Sequence, residues 1–141
     1  MNIASISQLT SNSFELLNKL ESFWWLFLRI WIAMIFFKSG LTKIDNFETT
    51  VFLFADEYQV PLLPPYFAAL SATFFELAMP VLIVLGLATR FAVLPLIIMT
   101  AVIEFTYLSH AQHIFWAIVL VGLLLHGAGK LSADHWIKKR F

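Results

Sequence analysis

The chain has 141 residues, 60% of them hydrophobic and 13% charged, and its formal net charge is zero. Soluble globular chains are roughly 45–50% apolar and about 25% charged, so an ordinary soluble domain is excluded, as is the basic field that nucleic acid requires. Cysteine is absent, which excludes disulfides, Fe–S clusters and thiolate metal sites built from this chain alone.

Mean hydropathy is +0.83, and the length suits one domain over 1–141. Four apolar runs, near 22–42, 66–89, 91–108 and 112–128, fill most of the chain. A membrane-crossing helix needs about 20 mostly apolar residues. The fold class predicted is therefore all-α: an integral-membrane four-helix bundle, with a short amphipathic interfacial helix between the first and second spans.

The N-terminal segment has two acids and no leading basic cluster, and the run that follows is too long for a signal h-region, so the first run is read as a retained span. Residues 12–22 form an amphipathic lead-in with Phe14, Leu16, Leu17 and Leu20 on it. Phe23, Trp24 and Trp25 anchor the start of the first span at the interface. In the connection 44–65, Phe47, Val51, Phe54 and Tyr58 recur at helical spacing, with Glu48, Asp56 and Glu57 on other faces. Pro61, Pro64 and Pro65 end that helix and restart the chain. The second and third runs form a tight hairpin across Thr89-Arg90, with Pro80 and Pro95 inside them. Gly127 and Gly129 stop the fourth helix, and the tail from Lys130 to Arg140 is basic.

Lys19, Arg90, Lys130, Lys138, Lys139 and Arg140 fall on the side of the termini, against Lys38 and Lys43 on the other. The excess of lysine and arginine on one side predicts that both termini lie in the cytoplasm.

Every run carries an ionisable residue: Arg29 and Lys38, Glu76, Glu104 and His126. A charge near the bilayer centre costs at least about 2.5–3.5 kcal/mol unless a partner or water meets it. At a rise of about 1.5 Å per residue, Arg29 and Glu76 differ by only about 5 Å in height and are expected to form a central ion pair. Lys38 and Glu104 sit near the outer face and form a second candidate pair, unless Lys38 snorkels to the headgroups. Such pairs either fix helix register or serve a proton, quinone or ligand site. His126 is expected to cap the inner end of its helix.

Helical spacing assigns four inward stripes: Arg29, Phe36, Gly40 and Lys43; Ala69, Ala72, Thr73 and Glu76; Ile97, Thr100, Ala101 and Glu104; Phe115, Val119, Gly122 and His126. The polar site thus comprises Arg29, Glu76, Lys38, Lys43, Glu104, Arg90 and His126. His110 and His113 share a face and form a weak metal pair, to which Asp56 or Glu57 would have to add; no metal site is assigned. No nucleotide-binding, nucleophile-elbow or zinc-protease motif is present.

The segments LRIWIAMIFFKSGLTKI, FFELAMPVLIVLGLATRFAVLPL and HGAGKLSADH resemble the DoxX family of small four-helix bacterial membrane proteins. The resemblance runs over about 25–136 and rests on Arg29, Gly40, Lys43, Glu76 and the run Gly86–Arg90. FKSGLTKI, EYQVPLLPP and GKLSADH most resemble the HvfX branch, encoded with copper-related modified peptides and their maturation proteins. The resemblance implies a link to membrane oxidoreductase systems, in some relatives to quinone. Three readings follow. One is a redox-associated accessory subunit that holds a quinone and needs a partner to move electrons. Another is a non-enzymatic anchor or export partner for a soluble peptide or its maturation proteins. The third is a small ion or metal carrier, which would have to form a homo-oligomer.

Overall fold

The computed structural model describes residues 3–106 and 109–140, with side chains from Phe14 onward except Leu16. Among the described residues every regular element is helical. Helix α1 runs unbroken from Ile3 to Asp45. Helix α2, Phe47–Leu53, passes into a π-helical turn at Phe54–Tyr58. Helices α3 (Pro65–Leu85), α4 (Thr89–Thr106) and α5 (Ala111–His126) complete the bundle, and α6 (Ala133–Arg140) forms the tail.

Among the described residues three helices have the length and hydropathy to cross a membrane: Leu17–Asp45, Pro65–Leu85 and Thr89–Thr106. The fourth apolar helix, α5, has only 16 residues. It ends sooner than the sequence predicts because Gly127 takes φ +85°, which breaks the helix one residue after His126. The lead-in over 12–22 is not a separate element but part of α1. Leu16's side chain, and residues 107–108 at the end of the expected third span, lie outside the described residues.

Large apolar side chains face outward along the bundle, among them Phe27, Phe74, Ile98, Phe115 and Ile118. Small and β-branched ones face in: Ala33, Ala68, Ala69, Ala72, Thr73, Ala92 and Thr100 are buried. This is the pattern for helices that pack in lipid, where association gains nothing from hiding leucine from acyl chains and depends on close backbone approach. A Cβ at Gly40 would come within 3.0 Å of Glu76 Cβ and 2.9 Å of Leu77 Cγ, so glycine sets the α1–α3 spacing there. A core of Ile32, Ala33, Phe36, Ile83, Val93, Leu96, Leu120 and Leu123 joins α1, α3, α4 and α5.

The connection between α1 and α3 behaves as its spacing predicts. Asn46 caps α2, its Oδ1 accepting from Thr49 N at 3.0 Å. Phe54 is buried against Ala68, Ala69 and Ala72, with Phe47, Val51 and Tyr58 packed around it. The segment thus roofs one end of the bundle.

At the opposite end, Gly86 closes α3 at φ +67°. A Cβ there would stand 2.5 Å from Ser132 Cβ and 2.6 Å from Arg29 Nη1. Gly86→Ala is expected to cost more than about 1 kcal/mol from the backbone alone, with the steric clash added. The check is a lower unfolding temperature in detergent.

Candidate functional site

The buried charges divide between the two ends of the bundle. Arg29 does not meet Glu76. Its side chain is buried, and its fork donates to three backbone carbonyls: Nη1 to Ala128 O at 2.5 Å, and Nη2 to Leu131 O at 2.9 Å and Val84 O at 3.2 Å. Those carbonyls belong to the end of α3 and to the loop after α5, where chain reversal leaves carbonyls without helical partners. A planar guanidinium with five donors suits such a cluster better than a single carboxylate does.

The same loop is tied down by Asp134. Its Oδ1 accepts from Ala88 N at 2.8 Å and its Oδ2 from Thr89 N at 3.2 Å, which caps the start of α4. Asp134 N in turn donates to Gly86 O at 2.9 Å. Arg90 donates to Leu125 O at 3.1 Å and so caps the end of α5, the task expected of His126. The His126 ring instead stacks on Trp25, with centroids 4.3 Å apart and an interplanar angle of 10°. Glu21 Oε1 lies 3.9 Å from its Nε2. At this end Arg29, Arg90 and Asp134 each close a turn or a helix end.

From the roofed end a cavity of about 610 Å³ extends along α4 as far as Phe91. Its walls are largely apolar, from Phe36 of α1, Phe54 of the π turn, Phe75 of α3, Phe91, Pro95, Ile98 and Met99 of α4, and Trp116 of α5. Two paired groups break that wall, beside the hydroxyls of Tyr58 and Ser71. Lys43 Nζ donates to Glu76 Oε2 at 2.7 Å and to Ser39 Oγ at 2.7 Å, and all three residues line the cavity. The carboxylate side chain is 3% exposed and the lysine 18%. The second group is His113, also on the wall, whose Nδ1 faces Glu104 Oε2 at 3.0 Å. Glu104 further accepts from Ser109 Oγ at 2.7 Å and His110 N at 3.0 Å. His113 thereby connects the cavity wall to an exposed loop.

Glu76 therefore pairs with Lys43, and Glu104 with His113. The expected partners Arg29 and Lys38 are elsewhere, and Lys38 is exposed on α1. Glu76 stands level with Gly40, which lies 11 residues, about 16 Å, beyond Arg29 along α1, whereas Arg29 is level with Val84 and Gly86. Lys43 lies within the helix, on the same stripe as Gly40, and reaches along it to Glu76.

Pro80 sharpens the site. A proline removes the N–H that would bond the carbonyl four residues earlier, and that carbonyl belongs to Glu76. Pro95 does the same to Phe91, and both of those residues line the cavity.

His110 and His113 have ring centroids 6.1 Å apart, yet His110 Nδ1 accepts from Gln112 N and caps α5. Among the described residues no three His, Cys, Asp or Glu side chains gather as a metal site. The expected α5 face holds only in part. Gly122 and His126 do meet Trp25, but Phe115 is exposed and the buried face is His113, Leu120 and Leu123. On α4, Thr100 is buried as expected, whereas Ala101 is exposed.

Sequence reasoning passed over Trp116. It packs edge-on to Phe36 at 5.7 Å and against His113 at 5.0 Å, and its buried indole nitrogen has no hydrogen-bond partner. Its position three residues after His113 was the available signal.

Apolar helices around a largely apolar cavity that a few paired polar side chains interrupt define a multi-helix membrane protein. Residues 24–109 match the DoxX family model, and the chain belongs to the DoxX family. An uncharacterized protein of Haemophilus influenzae is 32% identical over 126 residues, which cover 81% of this chain and 83% of that one. No solved structure matches the chain.

Proposed function

We propose that this protein is an accessory membrane subunit of a redox system, and that its cavity holds a lipid-soluble quinone-class molecule. The observation that carries this reading is the buried Lys43–Glu76 pair set in a largely apolar cavity of about 610 Å³. Small-molecule sites are typically about 300–1,000 Å³, mostly apolar, with a few fixed polar groups. A quinone head is flat and apolar on its faces, with two carbonyl acceptors at its rim. Lys43 supplies a charged donor for one carbonyl, and Glu76 is placed to carry a proton to or from it. The His113–Glu104 pair supports a second proton position on the same wall.

Cysteine is absent, so an electron centre built on thiolates belongs to a partner. The family resemblance favours a soluble redox or peptide-maturation protein of a copper-related, metal-stress system as that partner. The whole chain, 1–141, is one DoxX unit in this reading. The lysine and arginine distribution supports a bacterial inner-membrane location with both termini cytoplasmic, which turns the cavity end toward the periplasm.

A second reading, a non-enzymatic anchor, is favoured by the exposed tail. Helix α6 offers Trp136, Ile137, Lys138, Lys139 and Arg140 at the surface. Organic extraction of the protein purified in mild detergent separates the two readings. A prenylated quinone recovered in stoichiometric amount is the expected result. Quinone at background level, with a soluble protein co-purifying through the tail, would favour the anchor.

A further inference from the structure

On the face where α1 passes the loop after α5 there is a groove of about 420 Å³. It is lined by Lys19, Asn18 and Ser22 of α1, by Lys130 of the loop, and by the apolar side chains of Phe23 and Leu131. Glu15 closes one end. This groove is separate from the cavity described above and shares no lining residue with it.

Three features fix its chemistry. First, both lysines are exposed, and among the described residues neither makes an ion pair within 4.0 Å, with Glu15 or any other acid. Second, Lys19 lies two residues past Leu17, where the candidate span of α1 begins, so it sits at the height where lipid phosphates lie. Third, the loop bearing Lys130 is not free to drift. Arg29 binds the carbonyls on both sides of it, at Ala128 and Leu131, so Lys130 is held over α1 beside Lys19. Phe23, 63% exposed, and Leu131, 42% exposed, form an apolar wall next to the two cations.

We propose that this groove binds one anionic phospholipid, its phosphate between Lys19 and Lys130 and an acyl chain against Phe23 and Leu131. The charge complement selects an anionic headgroup. The apolar wall selects a lipid over a free phosphate. The groove lies at the end that carries Lys138, Lys139 and Arg140 on α6, so the surrounding field attracts the same lipids without defining the site.

The test is native mass spectrometry of the full chain with phosphatidylglycerol, phosphatidylcholine of the same acyl chains, and inorganic phosphate. The wild-type protein is expected to retain phosphatidylglycerol over phosphatidylcholine by about tenfold or more, as two basic side chains near a phosphate imply. Lys19→Gln with Lys130→Gln removes that preference, and Lys138→Gln with Lys139→Gln leaves it. All four lysines are exposed, so the fold tolerates the changes. Equal retention of the two lipids by the wild type overturns the proposal. So does a preference that survives in the groove variant or vanishes only in the tail variant. Inorganic phosphate displacing phosphatidylglycerol at equal concentration would assign the groove to a soluble anion and overturn the lipid assignment.

Discussion

Arg29→Met is expected to be the most destabilising single substitution in the bundle. It removes the donor of three hydrogen bonds and leaves the carbonyls of Val84, Ala128 and Leu131 with no side-chain partner in a water-poor interior. An unsatisfied buried polar group costs about 1–3 kcal/mol, so the sum exceeds about 3 kcal/mol. The loop then releases Asp134 from the start of α4, and the effect spreads to α3, α4 and α6 together. Arg29→Lys is expected to fall between, because an ammonium keeps the charge but lacks the fork that reaches both loop and helix end. Fluorescence-detected size exclusion after heating is the check. A methionine variant as heat-resistant as the wild type would remove Arg29 from the architecture.

The second large effect concerns Glu76. Glu76→Gln keeps the shape of the side chain and takes away the charge that holds Lys43. A lysine facing a cavity without its carboxylate loses about 2–3 kcal/mol of pairing, less than a fully enclosed ion would, since 18% of its side chain is exposed. The double variant Lys43→Met with Glu76→Leu is expected to recover most of that stability, because an apolar pair of similar volume often replaces a buried ion pair at no net cost. Its affinity for a short-chain benzoquinone is expected to fall at least about tenfold, which corresponds to about 1.4 kcal/mol. Stability restored with binding lost marks the pair as chemical. Both restored would mark it as a register device alone.

The fold was largely legible because apolar runs of span length have few alternatives. The α1 stripe of Arg29, Phe36, Gly40 and Lys43 and the α3 stripe of Ala69, Ala72, Thr73 and Glu76 are buried or half-buried, as helical spacing predicts. The pairing was not legible. Height along the membrane was reckoned from the start of the apolar run near Ser22, which set Arg29 about 10 Å into the bundle, whereas Arg29 packs against Val84 and Gly86 at the end of α3 and Glu76 is level with Gly40. Nor does an arginine in a sequence declare that its partners are carbonyls. Two of those carbonyls, of Ala128 and Leu131, lie in the loop that Gly127 opens, 98 residues beyond Arg29, and the third, of Val84, lies at the end of α3. Of the residues carrying the family resemblance, Arg29, the run Gly86–Arg90 and GKLSADH meet at that latch, whereas Lys43 and Glu76 line the cavity. The first set records a folding contact, and the second belongs to the candidate binding cavity.

Photo-crosslinking with an azido-benzoquinone, followed by peptide mapping, tests the central claim most directly. Labels are expected on segments 35–43, 68–76, 91–103 and 113–116, which wall the cavity, with labelling suppressed by excess short-chain benzoquinone and lost in the Lys43→Met, Glu76→Leu variant. Labels spread over the lipid-facing side chains Phe27, Phe74 and Ile118, unchanged by competitor or by the double variant, would contradict it.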